Sequence, residues 1–483
     1  MNILLINPPC RLPTNIPLGL GYIASIMRKK GHDVKLLDIN AFGYSDAQVE
    51  QNIKASDFDI AGIGGLSSTY KYVKWLSKAL KAHNPGGIVV AGNMVATASA
   101  ELLLNNSEID IAAIGEGEIT FQSIVSAVNN KSGFDKVRGI AYKQGHDIIR
   151  QPAQERIKDL DSLPFPAWDL FPMETYLNNS TQSPESFGMR QINVSSERGC
   201  PYNCIFCSQP FGRTVYTRSA DSIISEINEL KARYKVQFIN FSDDLFLLKK
   251  ERVLDFCDKA ISQNLNIKWS ASGRVNLVDS ALLSTMRKAG CAELSYGIES
   301  GNQAILDNLK KGVSVKQAEE AIKMTRKAGI SVLGSLIFGI PGETKDSIKQ
   351  TLAFMKRAEL PTYRFFYATP YPDTELYAIA KKLNRLPEDE DKYLDSLGEM
   401  HTTFIVNLTD FSDKEFVRLK EATELKAKRN LSLKVKLKEF TENWQRRYFI
   451  SARSIKERGV AETFRVIFFK IIKKSKLLLN PGK

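Results

Sequence analysis

Between Gln191 and Pro372 the chain alternates six β-rich runs with amphipathic stretches, and that alternation leaves few folds open. The runs begin at Gln191-Ile-Asn-Val-Ser195, Phe238-Ile-Asn-Phe241, Ile267-Lys-Trp-Ser270, Glu293-Leu-Ser-Tyr296, Val332-Leu-Gly-Ser335 and Tyr363-Arg-Phe-Phe366. Helical periodicity fills the gaps, at Ser219 to Tyr234, Lys249 to Gln263, Ser280 to Ala289, Ser314 to Ala328 and Glu343 to Ala358. Strands separated by helices pair in parallel, so the expected architecture is α/β, with a partial (β/α)6 barrel over residues 191–400. Each run ends in a polar or glycine-rich tip: Asp243-Asp244, Arg274, Gly297-Ile-Glu299, Gly339-Ile340-Pro-Gly342. Ligands of such sheets collect at the carboxyl ends of the strands, where these tips fall.

The first tip carries Cys200-Pro-Tyr-Asn-Cys204-Ile-Phe-Cys207. Three thiolates at this spacing can hold three irons of a 4Fe-4S cluster and leave the fourth iron open. A zinc site asks for a fourth ligand from a further Cys or His pair, and His32, His83, His146 and His401 have no paired spacing. Nothing at the N-terminus reads as a secretory signal, which argues against disulfides among Cys10, Cys257 and Cys291.

Residues 1–150 read as a second module, with apolar strands at Ile3–Ile6, Val34–Leu37, Ile60–Ile63, Gly87–Ala91 and Ile109–Ile114 and helices between them. Five such strands predict a doubly wound, flavodoxin-like sheet with a ligand at the strand ends. Gly62-Ile-Gly64-Gly65 and Gly115-Glu-Gly117-Glu118 would be loops where backbone approaches that ligand, although tight turns account for such glycines equally well. Residues 151–190 are rich in proline and aromatics around Leu160 to Pro172 and read either as a clasp between the modules or as a plain tether.

The cysteine motif, the ordered strand tips, and the patterns Asn7-Pro-Pro, Pro17-Leu-Gly-Leu20, Gly115-Glu-Gly-Glu118 and Leu163-Pro-Phe-Pro166 together resemble the cobalamin-binding class of radical S-adenosylmethionine enzymes. The resemblance implies that Cys200, Cys204 and Cys207 ligate the cluster, whose open iron chelates S-adenosylmethionine. It implies further that Phe206 packs near the adenine, that Glu299 bonds the ribose hydroxyls and that Asp243 or Asp244 takes the methionine ammonium. Arg274 belongs to the same cofactor-binding set, and the backbone of Gly339, Ile340 and Gly342 reads the adenine. The N-terminal module would hold the corrin. No Asp-x-His-x-x-Gly motif supplies a lower axial histidine, and the segment Gly92-Asn-Met94-Val95-Ala-Thr97 departs from the related Gly-Gly-Pro-His-Ala-Thr, placing Met94 and Val95 at the corrin face.

The activity implied is reductive cleavage of S-adenosylmethionine, with electrons from a reductase, flavodoxin or ferredoxin, followed by functionalisation of an unactivated carbon. Methyl transfer is the first reading, a radical C–C bond-forming or oxidative cyclase the second, and a non-catalytic iron–sulfur or cobalamin-binding protein the third. A methylthiotransferase would carry a second cluster on N-terminal cysteines, where this chain has only Cys10.

Charge is concentrated in the tail. From Lys426 to Lys483 there are seventeen Lys and Arg against four Glu, a net +13 that equals the whole chain's formal charge. No nucleic-acid motif accompanies it. Large apolar residues interleaved with lysines from Val460 to Leu479 read instead as an interfacial helix drawn to anionic lipid, or as a helix docked on the barrel. The first reading suggests a cytoplasmic enzyme peripheral to the inner membrane face, with an apolar or lipid-like small-molecule substrate lodged near Tyr363, Phe365, Phe366 and Tyr367.

Overall fold

The structure, a computed structural model, describes residues 1–10, 15–178, 184–397 and 403–430. The N-terminal sheet is built from β1 (Asn2–Asn7), β2 (Asp33–Asp38), β3 (Ile60–Gly64), β4 (Ile88–Gly92), β5 (Ile111–Ala113), β6 (Ile140–Gln144) and β7 (Asp147–Arg150), in the order β2-β1-β3-β4-β5-β6-β7. The first five pair in parallel in flavodoxin-like order, and the order reverses between β1 and β3, where such sheets bind ligands. Seven strands stand where the sequence predicts five. The addition is an antiparallel hairpin, β6–β7, closed by Gly145 (φ 63°) and His146. A glycine between two short alternating runs was its only local signal.

Both faces of this sheet are apolar. Leu4, Ile6, Ala61, Ile63, Val89 and Ala91 pack into one core, and Ile3, Leu5, Ile60, Val90 and Ile111 into the other. Helices sandwich the sheet, and that double burial explains the unbroken apolar runs.

The second sheet takes β8 (Gln191–Val194), β11 (Phe238–Phe241), β12 (Lys268–Gly273), β13 (Cys291–Glu299), β14 (Ser331–Phe338) and β15 (Thr362–Tyr367), all parallel and in sequential order. It is an open six-stranded barrel wall. Between β8 and β11 a two-residue ribbon, β9 (Glu197–Arg198) with β10 (Tyr216–Thr217), frames the cysteine loop. The connecting helices run Ala220–Tyr234, Lys250–Ser262, Ser280–Lys288, Val315–Lys327 and Lys345–Arg357, within two residues of the periodicity-based reading. Serine or threonine caps three of them, at Ser219, Ser314 and Thr344.

The proline-rich stretch is packed between the two sheets. Pro166 lies where a side chain on Gly21 would collide with it, and Ser25 donates to the Phe165 carbonyl at 2.6 Å. The Tyr176 hydroxyl donates to Asp38 at 2.7 Å, while Asp161 accepts from Ser219 N on the barrel side. A helix over Asp413–Asn430 covers the last turn of the barrel, placing Phe416 5.2 Å from the Phe338 ring. The basic segment from 431 onward lies outside the described residues.

Candidate active site

The cysteine loop is fixed at three points. Gly199, at φ 103°, passes so close to the Thr214 carbonyl that no side chain fits there. Cys200 N donates to the Gly212 carbonyl at 3.2 Å. In the middle, Ile205 is buried among Ile305, Leu309, Ile340 and Leu376, and both its backbone groups are bonded, to Leu309 O and Leu376 N. Anchoring Ile205 leaves Cys204 and Phe206 on either side of a rigid point.

The three thiols share one electrostatic neighbourhood. Desolvation pushes Cys207 up to about 12, with Cys204, Asp244 and Cys200 adding to the effect, and burial also raises Cys200. Among the described residues no three His, Cys, Asp or Glu side chains converge on a single metal ion; a cubane asks instead for one thiolate per iron. Cationic groups stand ready to balance thiolate charge. Arg274 reaches Cys204 Sγ at 3.8 Å and stacks 3.5 Å from the Tyr202 ring centroid, and Lys311 lies 5.8 Å from the Phe206 ring. These donors fit an iron–sulfur cluster.

Lys311 also ties the loop to the tip of β13. Its Nζ sits 2.7 Å from Glu299, both side chains being less than a tenth exposed, and its carbonyl accepts from Arg274. Glu299 holds φ 63°, and a side chain on Gly297 would strike both the Glu299 carboxylate and the Lys311 ammonium. The glycine of the Gly-Ile-Glu pattern therefore makes room for an ion pair. Lys311 was missed by sequence reasoning, since its role depends on a contact twelve residues away rather than on local pattern.

The two acids after β11 divide. Asp243 is buried and accepts from Ser196 N at 2.6 Å, Glu197 N at 3.1 Å and the Ser196 hydroxyl, so it orders the strand leading into the cysteine loop. Burial raises its carboxyl; burial also pushes that of neighbouring Glu197 up to about 9, and Arg252 faces both. Asp244 accepts from Gly199 N at 3.2 Å and stands exposed beside the thiols. At the β14 tip the Gly339 amide donates to Glu343 at 2.7 Å, and burial pushes the Glu343 carboxyl up to about 8. Gly339 N–H is thus engaged inside its own turn, while Ile340 packs beside Ile205 and Phe206.

Facing this tip array, a cavity of about 450 Å³ lies at the carboxyl ends of β1, β3, β4 and β5. Gly62, Gly64, Gly92 and Gly115 floor it, and Asn193, Arg198, Phe211 and Ser242 close it from the barrel side. Added side chains at Gly19 or Gly115 would meet nothing within 4 Å, and one at Gly92 only the Ile63 carbonyl at 4.0 Å. Bare backbone bordering open space is a cradle for a broad flat ligand, which fits a corrin. Two expectations are corrected here. Val95 is fully buried in the core beneath, and neither it nor Met94 lines the cavity, so the departure at residues 92–97 puts no bulk on that face. The acids of Gly-Glu-Gly-Glu do more than border a turn: Arg198 Nη1 and Nη2 pair with Glu116 at 2.9 Å and Glu118 at 2.6 Å, all three nearly fully buried. Two residues before the first cysteine, one guanidinium thus joins the cysteine loop to the N-terminal sheet.

A second cavity, about 290 Å³, sits inside the barrel beneath the first and shares Asn15 and Ser242 with it. Of the aromatics expected to line an apolar pocket, Phe365 belongs to the helix-facing core and Tyr367 packs with Phe338 and Phe416.

Comparison with known proteins closes the assignment. Residues 194–355 match the radical SAM superfamily and residues 10–125 the B12 binding domain. The chain is 35% identical over 395 residues to an uncharacterized methyltransferase of Pyrococcus horikoshii, covering 79% of this chain and 84% of the relative. The chain belongs to the cobalamin-binding radical S-adenosylmethionine enzymes. It is also 28% identical over 406 residues to the anaerobic magnesium-protoporphyrin IX monomethyl ester cyclase of Synechocystis, covering 81% of this chain and 80% of that one. The fold is shared with the radical S-adenosylmethionine methyltransferase TsrM of Kitasatospora setae, at TM-score 0.68 and 16% identity, over 80% of this chain and 77% of that one. Its cofactors are therefore a 4Fe-4S cluster, S-adenosylmethionine and cobalamin.

Proposed function

We propose that the protein is a methyltransferase of this class, placing a methyl group on an unactivated carbon of a small molecule held between the corrin cradle and the barrel. When bound, the cluster and S-adenosylmethionine supply a carbon-centred radical, and the corrin a transferable methyl group. Cys200, Cys204 and Cys207 hold the cluster. Asp244 takes the methionine ammonium, because Asp243 is already engaged with Ser196 and Glu197. Glu299, oriented by Lys311, accepts the ribose hydroxyls. Phe206 and the backbone of Ile340 and Gly342 border the adenine, with Arg274 toward the cluster. The clasp of residues 160–176 keeps the two cavities in register and excludes water. The single observation carrying this reading is that the cavity on the N-terminal sheet is lined by Arg198, Pro210 and Phe211 beside the cysteine loop and shares Asn15 and Ser242 with the cavity inside the barrel.

The cyclase relatives keep a second reading in play, and one assay separates the two. Chemically reduced holoenzyme supplied with cell extract should form 5'-deoxyadenosine and S-adenosylhomocysteine in equal amounts. 5'-deoxyadenosine without S-adenosylhomocysteine favours the cyclase reading, and formation of neither leaves a non-catalytic protein. In cells a flavodoxin or ferredoxin with its reductase would supply the electron. No helix among the described residues is long and apolar enough to cross a membrane. The basic tail supports, on sequence alone, reversible docking at an anionic surface, each basic residue adding roughly 1 kcal/mol at low salt. Full-length protein should sediment with anionic rather than neutral vesicles and be released by salt; equal partition would remove that docking.

A further inference from the structure

Along each barrel strand, side chains on the two faces differ in chemistry. Outward, toward the helices, stand Ile192, Ile239, Trp269, Leu294, Tyr296, Val332 and Leu336, all in the apolar core. The positions between them, which face the barrel interior, read Gln191 and Asn193 on β8, Phe238 and Asn240 on β11, Ser270 and Ser272 on β12, and Glu293 and Ser295 on β13. Arg364 on β15 completes a cavity of about 290 Å³ whose apolar lining is limited to Phe238, Phe241, Ala271 and Leu333. That volume is at the lower end of small-molecule sites.

Resting on the reading that the reaction takes place where the two cavities meet, we infer that the acceptor is a small, water-soluble molecule with several hydrogen-bonding groups. A lipid-like acceptor does not suit this interior. Each buried hydroxyl, amide or charge that an acyl chain stripped of water without replacing its hydrogen bonds would oppose binding. The hydroxyls of Ser270, Ser272 and Ser295 line neighbouring strands, with Ser270 in register with Glu293 and Ser272 with Ser295. Ser270 already donates to Asn240 Oδ1 at 3.1 Å and keeps its acceptor capacity, while Ser272 and Ser295 can both donate and accept, a ladder suited to a hydroxylated, amide or carboxylated ligand. A site built this way rejects analogues that lack those groups, because its own polar atoms would be left unpaired. The basic tail, whatever it touches, then serves location rather than substrate capture.

The test separates extract of cells into aqueous and organic phases and adds each to reduced holoenzyme with trideuteromethyl S-adenosylmethionine. The aqueous phase should raise 5'-deoxyadenosine formation several-fold over the rate without extract. Stimulation confined to the organic phase, or absent from both, overturns the inference. The fate of the heavy methyl group is read separately: aqueous stimulation without methyl incorporation leaves this inference standing and removes the methyltransferase reading. Ser272→Val and Ser295→Val, checked for retained cluster absorbance, should each raise the half-saturating amount of aqueous phase about tenfold. Folded, cluster-loaded variants with unchanged half-saturation would show that the serine ladder does not bind the acceptor.

Discussion

The first five strands of the N-terminal sheet and all six of the barrel run parallel, and each set ends at a candidate ligand site, yet their sequences are written differently. In β1 every residue from Ile3 to Ile6 is buried, because helices cover both faces. In β12, Trp269 and Ala271 enter the core while Ser270 and Ser272 border a cavity. The N-terminal sheet thus offers only its edge to a ligand. In the proposed site the barrel offers its edge to the cluster and S-adenosylmethionine and its inner face to the acceptor. Strand periodicity in a parallel sheet therefore reports what lies on the far side: unbroken apolar runs mean protein, alternation means space to be filled by solvent or substrate.

The largest expected effect separates the barrel's edge from its core. Cys200→Ala, Cys204→Ala or Cys207→Ala should each abolish the broad cluster absorbance and all cleavage of S-adenosylmethionine. Cys257→Ala and Cys291→Ala, buried on the helix-facing side, should keep both. Loss of the cluster in Cys257→Ala would show that the ligands are misassigned. Next comes the join between the sheets. Arg198→Met leaves Glu116 and Glu118 buried without their partner, which should cost about 3–5 kcal/mol in chemical denaturation and weaken cobalamin retention. A loss below 1 kcal/mol would mean that the guanidinium does not couple the two sheets.

Adjacent positions test the periodicity itself. Leu4→Ala and Leu5→Ala point to opposite faces of β1 and should each cost about 2–5 kcal/mol. On β12 the same comparison should be lopsided, with Ala271→Ser costing roughly 1–3 kcal/mol and Ser272→Ala within about 0.5 kcal/mol of the parent. Equal costs on β12 would close the inner face as a ligand site. The smallest effect is a pH slope. Burial raises the Glu343 carboxyl from 4.5 to about 8, so the folded state holds that proton more tightly than the unfolded chain. The stabilisation is complete below the unfolded value and is lost as pH rises toward and through about 8. Glu343→Gln should therefore flatten the fall in melting temperature between pH 6 and pH 9; an unchanged slope would assign it to other groups.

Much of this was legible in the chain. The barrel's helices fall within two residues of their sequence-based limits because caps and amphipathic periods are local signals, and the cysteine spacing needed no tertiary information. What escaped was non-local. Lys311 and Arg198 matter through partners brought near by folding, and the β6–β7 hairpin forms because β5 offers it an edge. Val95 was expected at the corrin face but is turned inward by the short helix Met94–Thr97. The alternation on the barrel strands was present in the sequence, yet it gained meaning only once the outer positions proved to be the core.

A corrin in the cradle between the sheets would meet no histidine among the described lining residues. Electron paramagnetic resonance of the full-length protein loaded with cob(II)alamin tests this most directly. The predicted result is one cobalamin retained per chain, with a spectrum free of axial nitrogen splitting. A spectrum split by a nitrogen ligand, or failure of the cluster-loaded protein to retain cobalamin through gel filtration, would contradict it.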